Sequence, residues 1–241
     1  MGLRLAAEIR LTITSADAAL ERILQRLAEA GYDFVMPTLA THGVVVDRRR
    51  RARPGDLRDV FGWTRIFASS DLPEDLLADL DAAHILEADK DDLRLRMRVS
   101  CIEDRLHFHS ADNRDPLAVF LGPDSYRFVR LIRGLDGAAP RRALDIGTGA
   151  GAGALAMAAR WPDAEIIGAD INPQALRLAS VNARHAGLSI TPVRSSGVDP
   201  VAGEFEHPRA WGGVGMRRAL VRWIGGGDQV RVGVQCVAHR A

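Results

Sequence analysis

Lysine is almost missing from this chain: of its 32 basic residues, only Lys90 is not an arginine. Such a bias reflects a GC-rich gene more than a function, and a net charge of +1 points to no particular partner. Cysteine is scarce as well. Cys101 and Cys236 offer neither a disulfide framework nor a ligand cluster, which fits a reducing, cytoplasmic setting. No apolar run approaches the ~20 residues that cross a bilayer, and residues 1–10 lack the apolar core of a signal peptide. The serine-hydrolase elbow, the zincin helix motif and the P-loop are all absent, so those chemistries drop out. What is present is ordinary for a globular chain: 47% hydrophobic and 26% charged residues over 241 positions, enough for one large domain or two small ones.

The N-terminal part reads as α+β. Ser15 is placed to cap a helix whose Leu20, Ile23, Leu24 and Leu27 form one apolar stripe, and Gly31 stands where a left-handed cap would end it. Gly43-Val44-Val45-Val46 predicts a strand over residues 41–47. Then come Arg48, Arg49, Arg50, Arg51, Ala52 and Arg53. Five arginines in six positions do not pack inside, so the segment is either a solvated loop or a phosphate-contacting loop of the kind found on a small winged module. Residues 72–86 predict a second helix, with Pro73 and Glu74 in its first turn and Leu76, Leu77, Leu80 and Ala83 on one side.

Residues 93–99 alternate strictly. The pattern predicts a single half-buried strand with Leu93, Leu95, Met97 and Val99 inward and Arg94, Arg96 and Arg98 outward. Glu103-Asp104 supplies a turn and residues 106–109 return as the partner strand. His107 and His109 then share a face at a spacing that can hold a metal, but no third ligand lies nearby. They are expected on solvent instead. Residues 112–116 read as a linker, after which Phe128, Leu131 and Ile132 mark a helix ending near Gly134.

The most informative stretch spans residues 143–188. A short apolar run containing Asp145 suits the carboxyl end of a buried parallel strand, and Gly147, Gly149, Gly151 and Gly153 punctuate its exit. A helix over 154–160 stops at Trp161-Pro162. A second strand over 165–169 ends in Asp170, nineteen residues after Gly151. In parallel α/β sheets ligands settle outside the carboxyl ends of the strands, and an acid closing the second strand can accept both ribose hydroxyls. Asp145 favours one nucleotide class over the other. Its carboxylate would repel the pyrophosphate of NAD or FAD, whereas S-adenosylmethionine brings a sulfonium and an ammonium.

Asp145-Ile146-Gly147-Thr148-Gly149-Ala150-Gly151 and Asp170-Ile171-Asn172, with Ala175-Leu176, Ala179 and Asn182-Ala183, resemble the motifs of Rossmann-like S-adenosylmethionine-dependent methyltransferases. The nearest branch is the small-domain one, which includes release-factor glutamine methyltransferases and several RNA or DNA amino-group methyltransferases. The resemblance covers about fifty residues. It implies methyl transfer to an amide or exocyclic amine nitrogen of a protein or nucleic acid. Gly147 and Gly149 would approach the methionine part, with Thr148 and Gly151 in the same loop. Asp145 would support the amino end, and Asp170, followed by Ile171, would take the ribose. Tyr126 or Phe120 would pack over the methionine end or serve the core.

Asn172 and Pro173 predict a helix start, Gly187 its stop, and residues 189–194 a third strand, which Pro192 places at a sheet edge. From here the chain departs from the family. Ser196, beside Ser195, stands where the resemblance implies an aspartate facing the adenine amino group; its hydroxyl can still accept that bond. After Gly203-Glu204-Phe205 the family has an apolar strand ending in Asn-Pro-Pro-Tyr, which holds the amine to be methylated. This chain has Glu206-His207-Pro208-Arg209-Ala210-Trp211 instead, so no catalytic residue is named. Residues 207–241 carry six arginines, seven glycines and one acid, Asp228, a composition expected of a frame-shifted or truncated end. Val230, Val232 and Val234 suggest one strand there, and the first strand of the sheet is expected to lack a neighbour on one side.

The expected architecture is therefore α/β: a Rossmann-like methyltransferase sheet, C-terminally incomplete, preceded by a small α+β domain. Residues 1–112 form the substrate-recognition domain, 113–206 the S-adenosylmethionine-binding domain and 207–241 an atypical tail. Two alternatives stay open, a catalytically impaired cofactor-binding fragment and an NAD-dependent oxidoreductase.

Overall fold

The computed structural model describes residues 13–49, 52–112, 115–136, 138–195 and 236–239. Helix α1 (Ser15–Glu29) is capped by Thr14, one residue before the expected Ser15. Thr14 accepts the Asp17 amide on its hydroxyl at 3.1 Å, and the Asp17 carboxylate takes the Thr14 amide at 3.0 Å, satisfying two end donors reciprocally. The predicted stripe Leu20, Ile23, Leu24 and Leu27 is fully buried.

The strand predicted over 41–47 is instead helix α2 (Leu39–Arg49). Burial follows the helical period: His42, Val45 and Val46 turn inward while Val44 is half exposed. Thr38 accepts the Thr41 amide at the start of the helix. At the far end the Arg65 guanidinium donates to the carbonyls of Arg49 and Ala52. Both ends are thus satisfied by side chains, and that tertiary support overrides the strand preference of three valines. After α3 (Leu57–Phe61), helix α4 (Glu74–Ala82) buries Leu76 and Leu80 and packs on α1.

Two antiparallel hairpins follow, β1 (Leu86–Asp89) with β2 (Asp92–Leu95) and β3 (Met97–Ile102) with β4 (Arg105–Ser110). The single strand predicted over 93–99 is therefore divided between them. The break falls at Arg96, whose amide donates to the Ile85 carbonyl and whose carbonyl accepts from Ala111, both at 2.9 Å. The polar face of β3 and β4 is buried. Arg98, His107 and His109 were expected on solvent, yet their exposures are 7%, 2% and 1%. Alternation distinguishes the two faces of a strand without saying that either is wet. Here Thr64 and Met36 meet Arg98, Ser100 meets His109, and α7 packs on β4.

Helix α5 (Pro123–Arg133) leads to β5 (Arg142–Ile146), α6 (Ala152–Arg160), β6 (Glu165–Asp170), α7 (Pro173–His185) and β7 (Thr191–Arg194). On α5 the buried residues are Val129 and Ile132, whereas Leu131, one of the three residues that mark the helix in the sequence, is 39% exposed. The sheet order is β7-β6-β5-β8, with β5, β6 and β7 parallel. Pro192 lies in β7 at the edge, as its missing N–H requires. On the other side β5 is not bare: β8 (Cys236–His239) pairs with it antiparallel, from Arg142↔His239 to Asp145↔Cys236. Val230, Val232, Val234, Ser196 and residues 196–235 generally lie outside the described residues.

One apolar cluster joins the two halves, running from Ala19 on α1 through Val99 and Phe108 to Leu178 and Val181 on α7. Ion pairs Arg177–Asp17 and Arg184–Glu21, each at 2.5 Å, bind α7 to α1 alongside it. The carboxyl ends of β5 and β6 are thereby held against a frame that includes the N-terminal helices.

Candidate functional site

Asp145 is the fourth residue of β5 and only 2% exposed. Its Oδ2 accepts two hydrogen bonds at 2.9 Å, from the Thr148 hydroxyl and from the amide of Ala154 in the first turn of α6. Burial pushes its pKa up to about 6, with the nearby Asp170 charge adding to the rise and the two hydrogen bonds opposing it.

The loop between β5 and α6 is built on glycines with left-handed backbones, φ being 71° at Gly147, 54° at Gly149 and 84° at Gly151. Gly151 also needs to be small. A Cβ there would stand 3.0 Å from that of Ala179 on α7, so the loop rests directly on that helix. The amides of Gly147 and Thr148 both reach the Ala169 carbonyl, at 2.7 and 3.0 Å.

Asp170 closes β6 on the other side of this loop. Its Oδ2 accepts the Gly149 amide and its Oδ1 the Asn172 amide, each at 2.9 Å. Each oxygen keeps a second lone pair, so the carboxylate can still take a vicinal diol. Asn172 caps α7 through the Gln174 amide, and its Nδ2 donates to the Leu117 carbonyl. Ile171, between the two, presents a side chain 64% exposed beside the acid. Ser195 lies at the end of β7 with its amide on the Asp170 carbonyl.

The structure thus gathers Asp145, Gly147, Thr148, Gly149, Gly151, Asp170 and Ile171 at one end of the sheet, while Ser196 lies outside the described residues. Tyr126 serves the core: its hydroxyl accepts the Met36 amide at 2.8 Å. Phe120 lies nearer the loop, its carbonyl 3.7 Å from where a Gly149 Cβ would stand. In the arginine run, Arg49 pairs with Asp59 at 3.1 Å and Arg53 with Asp71 at 3.3 Å. Arg48 is exposed, and Arg50 and Arg51 lie outside the described residues. Among the described residues no cluster of His, Cys, Asp or Glu could hold a metal, and no helix is long and apolar enough to cross a membrane.

The sequence motif contains Asn182 but gives it no role of its own. Asn182 on α7 is fully buried and hydrogen-bonds both to Ala150 in the glycine loop and to the backbone of Phe108 in β4.

Residues 143–206 match the family described as a methyltransferase domain. The release factor glutamine methyltransferase of Deinococcus radiodurans is 44% identical over 64 residues, 27% of this chain and 23% of the relative. That of Escherichia coli K12 is 46% identical over 66 residues, 27% and 24% of the two chains. That of Streptococcus pneumoniae is 53% identical over 47 residues, 20% and 17%. The chain spans about a quarter of the length of the first two relatives. Residues 143–206 are a methyltransferase domain, and the parallel β7-β6-β5 sheet with its helices has the Rossmann-like methyltransferase fold.

Proposed function

We propose that this chain is an S-adenosylmethionine-dependent methyltransferase acting on an amide or exocyclic amine nitrogen of a protein or nucleic acid. The observation that carries the reading is the pair of carboxylates flanking one glycine loop. Asp145 and Asp170 are close enough for the charge of Asp170 to help raise the pKa of Asp145, whose larger cause is burial. Such a pair rejects a diphosphate and suits a ligand bearing positive charge. The cradle suits such a ligand in shape as well, since where a Gly149 Cβ would stand only the Phe120 and Gly147 carbonyls come within 4 Å among the described residues.

In this reading Asp170 holds the ribose hydroxyls, Ile171 covers the base edge, Gly147 and Gly149 let the backbone approach the methionine part, and Asp145 faces its amino end. When bound, S-adenosylmethionine supplies an electrophilic methyl on a sulfonium. The protein's work is to fix that ligand against the sheet and exclude water while an acceptor nitrogen aims its lone pair in line with the breaking bond. No side chain becomes covalent.

The names of the relatives suggest a glutamine in a release factor as acceptor, and the arginines at 48–53, with Arg94 and Arg96, suit RNA. Residues 1–112 are the proposed acceptor-recognition part and 113–206 the donor-binding part. A second reading, donor binding without transfer, is favoured by one observation: the chain contains no Asn-Pro-Pro-Tyr.

Calorimetric titration with S-adenosylmethionine, S-adenosylhomocysteine and NAD tests the donor site. Binding of the first two is expected, weakened by ~1–3 kcal/mol in Asp170→Ala. Preference for NAD would overturn the reading. Transfer of labelled methyl to a release factor or to RNA then separates an active enzyme from a binding protein.

A further inference from the structure

Phe108 turns its N–H and C=O away from β3, toward α7. A strand edge buried against a helix normally leaves such groups without partners, because a helix has spent its own backbone bonds. Asn182 removes the problem with one side chain. Its Oδ1 accepts the Phe108 amide at 2.9 Å and its Nδ2 donates to the Phe108 carbonyl at 3.2 Å, so the carboxamide pairs with β4 as a neighbouring strand would. The second Nδ2 proton goes elsewhere, to the Ala150 carbonyl at 2.9 Å. Ala150 lies between Gly149, which donates to Asp170, and Gly151, which rests on Ala179 one turn earlier on the same face of α7.

A fully buried carboxamide with three good hydrogen bonds to two separate segments is a rigid connector. One segment is the loop that would hold the methyl donor. The other belongs to the hairpin of the part proposed to recognise the acceptor. Neither Asp145 nor Asp170 touches both. We infer that Asn182 is a positioning residue that couples occupancy of the glycine loop to the order of the β3–β4 hairpin, so that donor binding and the acceptor-side surface are tied through one carboxamide. The inference rests on the donor-binding reading given above.

The geometry supplies its own reporter, because the Phe108 amide donates directly to Asn182. Hydrogen exchange at Phe108 is measured in the full chain with and without saturating S-adenosylhomocysteine, with calorimetry on the same sample. The expected result is that ligand slows exchange at Phe108 by roughly tenfold, a typical size for coupling between two sites. Asn182→Asp is isosteric, keeps the acceptor for the Phe108 amide and sets a carboxylate against two carbonyls. It should abolish the ligand-dependent slowing. A merely structural role would speed exchange equally in both states and leave their ratio unchanged. In Asp170→Ala, at saturating ligand, the ratio should persist.

Binding of ligand to the wild type with no change at Phe108 overturns this inference and leaves the donor site standing. Absence of binding by a folded chain overturns both. If Asn182→Asp does not fold, Asn182→Ser, whose single hydroxyl proton cannot serve both carbonyls at once, takes its place in the same comparison.

Discussion

The Gly149 amide donates to the Asp170 carboxylate at 2.9 Å, so the glycine loop and the acid at the end of the neighbouring strand are joined directly. The other oxygen of Asp170 takes the Asn172 amide at the same distance. Asparagine at this position offers only one acceptor oxygen, and its NH2 group would face one of those two donors. Asp170→Asn is therefore expected to cost ~1–3 kcal/mol of stability, close to Asp170→Ala, by chemical denaturation. A neutral Asp170→Asn would show that the two amides do not depend on the charge.

Gly151 and Gly187 share a left-handed backbone, with φ of 84° and 65°, yet their surroundings differ. At Gly187 nothing lies within 4 Å of where a Cβ would stand, whereas at Gly151 the Leu155 side chain is 2.9 Å away and Ala179 3.0 Å. Gly187→Ala should cost only the backbone strain, ~1–2 kcal/mol. Gly151→Ala should cost more, and should also weaken donor binding by lifting the loop off α7. Thermal melts of both variants, with calorimetry, check this; equal costs would mean that the loop gives way easily.

The donor end of the molecule was legible because its signals are local. Two acids and three glycines at fixed spacing, a proline after an asparagine cap, and a proline in an edge strand each carry their meaning within a few residues. What failed depended on partners far away in sequence. Val44, Val45 and Val46 suit a strand until Arg65 closes the end of α2. Arg98, His107 and His109 look like surface residues until residues from other elements cover their face. Asn182 could be seen in the motif but not its role, since nothing near it in sequence mentions Phe108, 74 residues away.

Acid stability follows from those buried histidines. An unfolded histidine takes up its proton near pH 6.5. Burial, with the Arg98 charge adding at His42 and His109, holds His42 and His107 down to about 4 and His109 to about 3. Between these values the unfolded chain binds protons that the folded one does not, so stability falls as the pH drops below 6.5. Asp145 works in the opposite direction. Its pKa, raised by burial to about 6, exceeds the unfolded value near 3.9, so the folded chain gains stability as the pH drops from 6 toward 4. Three groups outweigh one, and the melting temperature should fall from pH 7 to pH 5. In Asp145→Asn the opposing contribution is gone, and the fall should be larger. Circular-dichroism melts at both pH values test this, an equal fall in the two proteins counting against a shifted Asp145.

Ion pairs in the N-terminal part offer a comparison of burial at constant chemistry. Arg65 and Asp59 meet at 2.7 Å with side-chain exposures of 6% and 7%, and Arg49 adds a second contact to the same carboxylate. Arg53 and Asp71 meet at 3.3 Å with the arginine 71% exposed. Asp59 also accepts the Gly55 amide. Removing Asp59 strands the buried Arg65 charge, and losing one partner of such a pair typically costs ~3–5 kcal/mol. Losing an exposed pair costs ~1 kcal/mol or less. Asp59→Ala should therefore destabilise the chain several times more than Asp71→Ala. Part of that loss should appear at α2, whose last residue, Arg49, has its carbonyl held by Arg65. Denaturation curves for both variants, with helix content by circular dichroism, give the answer. Equal losses would mean that water reaches Arg65 once Asp59 is gone.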